Sequence, residues 1–441
     1  MIDWYVILFL AIVLLIFHMG EFAGHKDAAA YVRLAGKNKV STGTVLMLFR
    51  FLTGTFVFIP VYLTVSRGYL AGLVLSIAGV AVLIWFSRKV SRMNDDFAAF
   101  QHIGALLLDR MPERGRAPVY VLLFLAGSEG LLISTALANS FMKTVFSIQP
   151  IWTSSILFFF VFVFSGMGGA GGVQKMGRWL LFGFFTGITI LPVATILYHG
   201  VASIHERFVR LPGASWDEGE LVVAALLFMV FTAGHLLVYY LLSSDLLAVK
   251  RTRLKATIGL TAICWSSMPV AVSVIVVYLM SRGGGNGINA LLITMGHAFS
   301  TPLLYVLAVS VLSCLALSLG VSLHHLMGLL IPLFKEEKAT YKGYASSLVL
   351  CLLFYGSSFA LDFTTVFIFY IHLFVSICLP LWLLLGYRVR WGWELSLVLI
   401  ASNGLGLWVS FTSEILTGVS VNLGISSVVL FFLFIRKIRT M

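Results

Sequence analysis

Charge is scarce in this chain. Of its 441 residues only 11% are Asp, Glu, Lys or Arg, while 60% are hydrophobic. A soluble domain carries about 25% charged residues, so a surface facing water on all sides is excluded. Acids are scarcer than bases, 18 against 30, which leaves a net charge of +12. Cysteine is scarce too. Cys264, Cys314, Cys351 and Cys378 lie inside apolar runs and form no CxxC pair. They read as small buried hydrophobes, not as a disulfide set or a metal site. The sequence has no HExxH, no serine-histidine-acid set and no glycine-rich phosphate loop. Its polar loops are too short for a nucleotide-binding domain, so it is not expected to be an enzyme.

Long apolar runs are what the chain has in plenty. A bilayer core of about 30 Å takes roughly 20 apolar residues per helix. By that measure thirteen spans are expected, at 4–19, 43–66, 68–86, 117–142, 151–170, 178–199, 221–243, 256–280, 301–330, 345–361, 363–386, 394–412 and 416–435. The first follows Met-Ile-Asp without a basic leader or a cleavage site, so it reads as a retained span. Residues 1–441 then form a single all-α, integral membrane domain.

The bases are not spread evenly. With the N-terminus outside, 24 of the 30 Lys and Arg fall in cytoplasmic segments and five in external loops, with Arg50 inside the second span. A miscounted span would scramble that split, so it supports an odd number of spans and a cytoplasmic C-terminus. Acids Glu206, Asp217, Glu218 and Glu220 gather in one external loop. The positive charge therefore follows topology and calls for lipid, not nucleic acid, as the neighbour. A cell membrane is the expected location, and no protein partner is named by any motif.

Ionisable groups at membrane depth are costly and mark function. Arg50 lies about seven residues into the second span and Glu129 about twelve into the fourth, depths of roughly 10 and 18 Å at 1.5 Å per residue. They are expected to form a buried charge pair, against the alternative of Arg50 reaching the headgroups and Glu129 facing water. Asp245 is expected to pair locally with Lys250, Arg251 and Arg253, and Asp362 to cap a helix. His324 and His325 are placed at the interface by their position near the end of the ninth span. His235, in mid-span after Gly234, is a candidate polar group for a substrate cavity.

Backbone breakers recur: Thr53-Gly54-Thr55 and Pro60, the five-glycine stretch 166–172, Pro192, Gly234 and Pro302. Non-helical backbone at membrane depth is tolerated where it lines a cavity, and transporters place solute and ions at such breaks. The other reading is close packing through small residues. For the glycine stretch a sharp re-entry turn is as well supported. Glycine-rich 283–287 is a flexible link, and Ile288 to Phe299 reads as a short amphipathic helix.

Several segments carry a resemblance. Ala30-Tyr31-Val32-Arg33-Leu34-Ala35-Gly36-Lys37, Gly68-Tyr69, Phe164-Ser165-Gly166-Met167-Gly168-Gly169 and Ala308-Val309-Ser310-Val311-Leu312-Ser313-Cys314 stand in order along the chain. Together they resemble the sodium:solute symporter family. The resemblance implies a LeuT-type fold of two inverted five-helix repeats, at 43–199 and 221–386. The first span would be peripheral and 394–435 would add two C-terminal spans. It also implies broken helices at the second and seventh spans, with Thr53, Gly54, Gly234 and His235 as substrate-binding residues. Ser313 and Cys314 fall on the family's ion-binding hydroxyl positions. Sodium prefers oxygen, however, and a thiol is a poor ligand for it; Met176-Gly177 also departs from the family pattern. Arg50 is a candidate fixed charge in place of the ion. The implied function is secondary active transport of a small polar solute by alternating access, with no cofactor beyond a coupling ion, Na+ or H+. The alternative is a transport-inactive sensor or scaffold on the same fold.

Overall fold

A computed structural model describes residues 5–18, 31–32, 39–97, 111, 113–209, 218–243, 249–283, 288–333, 339–387 and 394–438. Asp245 lies outside them. The helices are α1 (Tyr5–His18), α2 (Val40–Phe51), α3 (Gly54–Arg67), α4 (Ala71–Phe97), α5 (Glu113–Gly127), α6 (Glu129–Phe146), α7 (Pro150–Val161) and α8 (Gly169–His199). Then come α9 (Val201–Val209), α10 (Glu218–Leu242), α11 (Arg251–Ser281), α12 (Ile288–Ala298), α13 (Thr301–Leu330), α14 (Ala339–Ser357), α15 (Phe363–Tyr387), α16 (Glu394–Thr412) and α17 (Ile415–Ile438).

Each expected span has a helix at its place. Among the described residues nine helical stretches are long and apolar enough to cross a bilayer, and the bent pair α2–α3 makes a tenth. The 14-residue α1 and the apolar stretch Ser396–Thr412 are shorter. Side chains such as Phe159, Phe182, Leu197, Ile263 and Trp408 are exposed on the outer surface, where lipid is their natural solvent.

Lipid tails are as apolar as leucine, so helices here associate through fit, not through escape from water. The glycines supply that fit. A Cβ on Gly79 of α4 would overlap the fully buried Trp265 ring of α11, and one on Gly187 of α8 would overlap Ser310 of α13. Hydroxyls lock the same seams: Ser76 to the Ser266 carbonyl at 2.7 Å, and Ser310 to the Phe184 carbonyl at 2.9 Å. The most buried of the crossing helices is α13, which touches α2, α3, α5, α6, α7, α8, α10 and α14.

Breakers behave differently from one another. The helix breaks at Leu52–Thr53, where the chain bends by 59°. Pro60 and Pro192 sit inside helices that continue through them, and Pro302 occupies the first turn of α13, where a missing N–H costs nothing. The five-glycine stretch is where the chain turns back, since residues of both flanking spans line one cavity. A π-helical turn, Phe162–Met167, joins α7 directly to α8, with Gly169 at φ +52° supplying the joint. Helix α10 runs unbroken through Gly234 and His235 to Leu242, so the expected seventh-span break is absent there. The reason is packing: a Cβ on Gly234 would overlap the Phe374 carbonyl of α15, so this glycine serves a close helix crossing. The short helix after the glycine link is realised as α12, and Asp362 caps α15 by accepting the N–H groups of Thr364 and Thr365 at 3.0 and 3.2 Å.

Candidate functional site

The break between α2 and α3 begins the site. Leu52 leaves helical geometry at φ −99°, ψ 54°, and Thr53 is extended at φ −85°, ψ 159°. A helix end leaves backbone carbonyls without intrahelical partners, and a helix start leaves N–H groups so. Thr53 is the N-cap of α3, yet its hydroxyl does not cap. It donates instead to Oε1 of Glu129 at 2.9 Å. Gly54 lets α3 approach α6 closely, since a Cβ there would meet Ile133 at 2.9 Å and Ser134 at 3.2 Å.

Glu129 is 2% exposed and lies in the first turn of α6. The joint before it, at Ser128, is pinned by the Tyr370 hydroxyl at 2.8 Å, and the N–H of Gly130 donates to Ser322 of α13 at 3.0 Å. The positive ends of two helices, α3 and α6, thus meet at one carboxylate. Its second oxygen, Oε2, bonds Nε2 of His235 at 3.1 Å. Aromatic rings enclose that imidazole: Phe374 at 4.8 Å, Phe56 edge-on at 4.9 Å and Phe51 at 6.2 Å between centroids.

Arg50 is 3% exposed and lines the same cavity. It does not form the direct bond to Glu129 expected from the sequence. Its guanidinium donates to the Val321 carbonyl at 3.3 Å and lies over the Tyr239 ring at 5.3 Å. The acid has taken a hydroxyl and an imidazole, and the cation has taken a carbonyl and a π face. His325, placed at the interface by its sequence position, is instead buried and lines this cavity. Helix α13 runs 30 residues, so position within the span misplaced it. The cavity holds about 20 Å³, room for about one water.

Ser313 and Cys314 do not converge on one point. Adjacent helical residues point about 100° apart. The Cys314 thiol donates to the Leu52 carbonyl at the break, at 3.5 Å. Ser313 faces α8 beside Gly183 and borders a large apolar cavity of about 560 Å³ between α1, α7, α8 and α13. One thiol and one distant hydroxyl do not make an oxygen cage for a hard cation. Among the described residues no three His, Cys, Asp or Glu cluster as metal ligands.

Tyr31 was part of the family resemblance, but no site role followed from the sequence. It is fully buried and donates to the Gly166 carbonyl in the π-turn at 2.5 Å, bringing two of the resembling segments into contact.

The fold and the break define a class: an all-α membrane protein of the LeuT type, the fold shared by several secondary transporters. Among solved structures, a sodium-coupled sialic acid symporter in a substrate-bound, outward-open state matches 97% of this chain and 97% of its own, at TM-score 0.73 and 15% identity. A nucleobase-cation-symport-1 family transporter, closed with bromovinylhydantoin bound, matches 91% of this chain and 94% of its own, at TM-score 0.47 and 14% identity. A manganese transporter of Eremococcus coleocola matches 94% and 96%, at TM-score 0.49 and 12% identity. At these identities the first match speaks for the fold alone. No protein-family profile matches the chain, and no curated protein sequence does.

Proposed function

We propose that this chain is a secondary active transporter of a small polar solute, working by alternating access in a cell membrane. One observation carries the reading: a transmembrane helix broken at Leu52–Thr53 whose hydroxyl engages a buried carboxylate, Glu129, which also holds His235. Buried charge at a helix break is expensive to keep, and transport is the use that LeuT-type folds make of it. Thr53 and His235 line the cavity and remain the substrate-site residues of this reading, while Gly54 and Gly234 serve it through close helix packing. His325 joins Thr53 and His235 because it borders the same cavity.

The two inverted repeats are assigned to 43–199 and 221–386, the N-terminus to the outside and the C-terminus to the cytoplasm, with thirteen crossings in all. A cavity of about 20 Å³ admits no solute larger than water, so α2–α3 and α10 must part from α6 and α13 for one to enter. Sodium is not required here. The thiol of Cys314 occupies the Leu52 carbonyl, and Arg50 supplies a fixed positive charge at the cavity.

Uptake into proteoliposomes tests the reading. Sialic acid is the first probe, because the sodium-coupled symporter that shares this fold takes it; amino acids, sugars and carboxylic acids follow. Uptake of one of them that Thr53→Val and Glu129→Gln both abolish is expected. The small size of the closed cavity favours one other reading, a sensor or scaffold without transport. Purified protein that takes up and binds none of the probes selects it.

A further inference from the structure

We propose that the coupling ion is a proton, carried by the Glu129–His235 couple. The proposal rests on the transporter reading above but is argued from hydrogen bonding. Oε1 of Glu129 accepts the Thr53 hydroxyl, and Oε2 meets Nε2 of His235. The other ring nitrogen, Nδ1, is buried and has no hydrogen-bond partner among the described residues. An N–H buried without an acceptor is costly, whereas a bare lone pair costs less. The closed state therefore holds a carboxylate and a neutral imidazole with its hydrogen on Nε2.

One proton can join this couple in three ways. It can bind Nδ1 and make an imidazolium beside the carboxylate. It can bind Oε2, which forces the imidazole to the tautomer with hydrogen on Nδ1. It can bind Oε1, which reverses the hydrogen bond with Thr53, whose own hydrogen then needs a new acceptor. The first two place an N–H on the atom that lacks a partner. The third disturbs the helix break itself. The protonated couple is thus unstable in the closed cavity until an oxygen acceptor arrives at Nδ1 or Thr53 is released. A solute bearing a carboxylate or carbonyl oxygen supplies that acceptor, so proton and solute favour each other's binding, as linkage demands. The proton arrives from one aqueous phase and leaves to the other, and no covalent bond is made to the solute.

The surrounding groups are compatible. The other ionisable groups lining the cavity are Arg50 on α2, Tyr239 on α10 and His325 on α13. Helix α5 contributes Ala126 and Gly127 and α15 contributes Phe374, none of which titrates. The Tyr370 hydroxyl of α15 meets that of Ser128, the residue before Glu129; the Ser128 hydroxyl bonds the Leu125 carbonyl and not the carboxylate. Arg50 balances the carboxylate's charge, so adding a proton makes the site net positive and suited to an anionic solute. Imidazole Nε2 of His325 is also buried without a hydrogen-bond partner among the described residues and offers the proton a second station on α13.

The test is infrared difference spectroscopy of the full chain in lipid nanodiscs, titrated with acid. A titrating band of the couple is expected in the wild type, either of a buried protonated carboxyl or of an imidazolium ring, and it reverses on return to neutral pH. The carboxyl band is lost in Glu129→Gln, the ring band is lost in His235→Gln, and either is shifted in midpoint in Thr53→Val. Neither band titrating in the wild type, or bands unchanged in both Glu129→Gln and His235→Gln, overturns the proposal. If Glu129→Gln does not fold, the part of the wild-type tryptophan fluorescence that Trp265→Phe removes decides, since that ring packs on Phe51 and Phe56 beside His235. A response to pH that is independent of sodium supports the proton, and a response to sodium alone overturns it. Uptake driven by sodium and indifferent to a pH gradient sinks the proton but leaves the transporter reading standing. A titrating Glu129 with no uptake of any probe does the reverse.

Discussion

Two buried histidines sit on adjacent, closely packed helices and are treated in opposite ways. His372 of α15 has no exposure, and both ring nitrogens are engaged. The Asn422 amide of α17 reaches Nδ1 at 3.0 Å and also donates to the His372 carbonyl at 3.0 Å, while Nε2 meets the Ser410 hydroxyl of α16 at 2.7 Å. An amide nitrogen only donates, so Nδ1 accepts, Nε2 carries the hydrogen, and the tautomer is settled. This is a clamp holding α15, α16 and α17 together. His235 of α10 is half engaged: Nε2 is bound to Glu129 and Nδ1 is left bare beside a cavity. A polar group whose partners are all internal fixes a structure. One with an open position at a helix break is available to something that comes and goes.

The contrast can be broken by substitution, measured as thermal unfolding in nanodiscs and as uptake. The largest effect is expected at the helix crossing next to His235. Gly234→Val drives two methyl groups toward the Phe374 backbone and should cost about 3 kcal/mol or more, with loss of folded protein on gel filtration. Next comes the clamp. Asn422→Leu strips the donor from two buried acceptors and should cost about 2 to 6 kcal/mol at about 1–3 per unsatisfied group, while the surviving folded fraction still transports. The cavity should behave the other way. Replacing its buried charged set together, as Arg50→Met, Glu129→Met and His235→Leu, should leave melting unchanged or raise stability by about 1–4 kcal/mol, and abolish uptake. A clamp variant that loses transport without losing stability, or a cavity triple variant that unfolds, would erase the distinction. The smallest effect is expected far from both. Arg67 of α3, partly buried, bonds the half-exposed side chain of Glu220 of α10 and, at 3.3 Å, the exposed Glu414 just before α17. Arg67→Gln should change stability by roughly 0.2–1 kcal/mol; a larger change would make this cluster a latch between the helices that flank the site.

Much of the fold was legible because its signal is local. Runs of apolar residues, the basic loops and the turn at Asp362 are each read within twenty residues, and each expected span has a helix. The break at Thr53-Gly54 was legible from its breakers, but Gly234 looked the same and was not a break. The difference lies in Phe374, 140 positions on, whose carbonyl needs the space a glycine leaves. Glu129, Arg50 and His235 were singled out because charge and imidazole are rare in apolar runs. Their pairing was not legible, since depth along a span says nothing of which face a residue occupies. His325 was misplaced for the same reason.

The sequence by itself determined the solvent, the helical class and the positions of the spans, because each depends on burying backbone polar groups within a stretch of about 20 residues. It also marked which side chains are too costly to be there without a purpose. Only the tertiary structure decided what they do. Glu129 takes its hydrogen bonds from residues 76 and 106 positions away, and which donors win is settled by how the helices cross. That crossing is governed by steric fit between distant small residues, a quantity no local pattern contains.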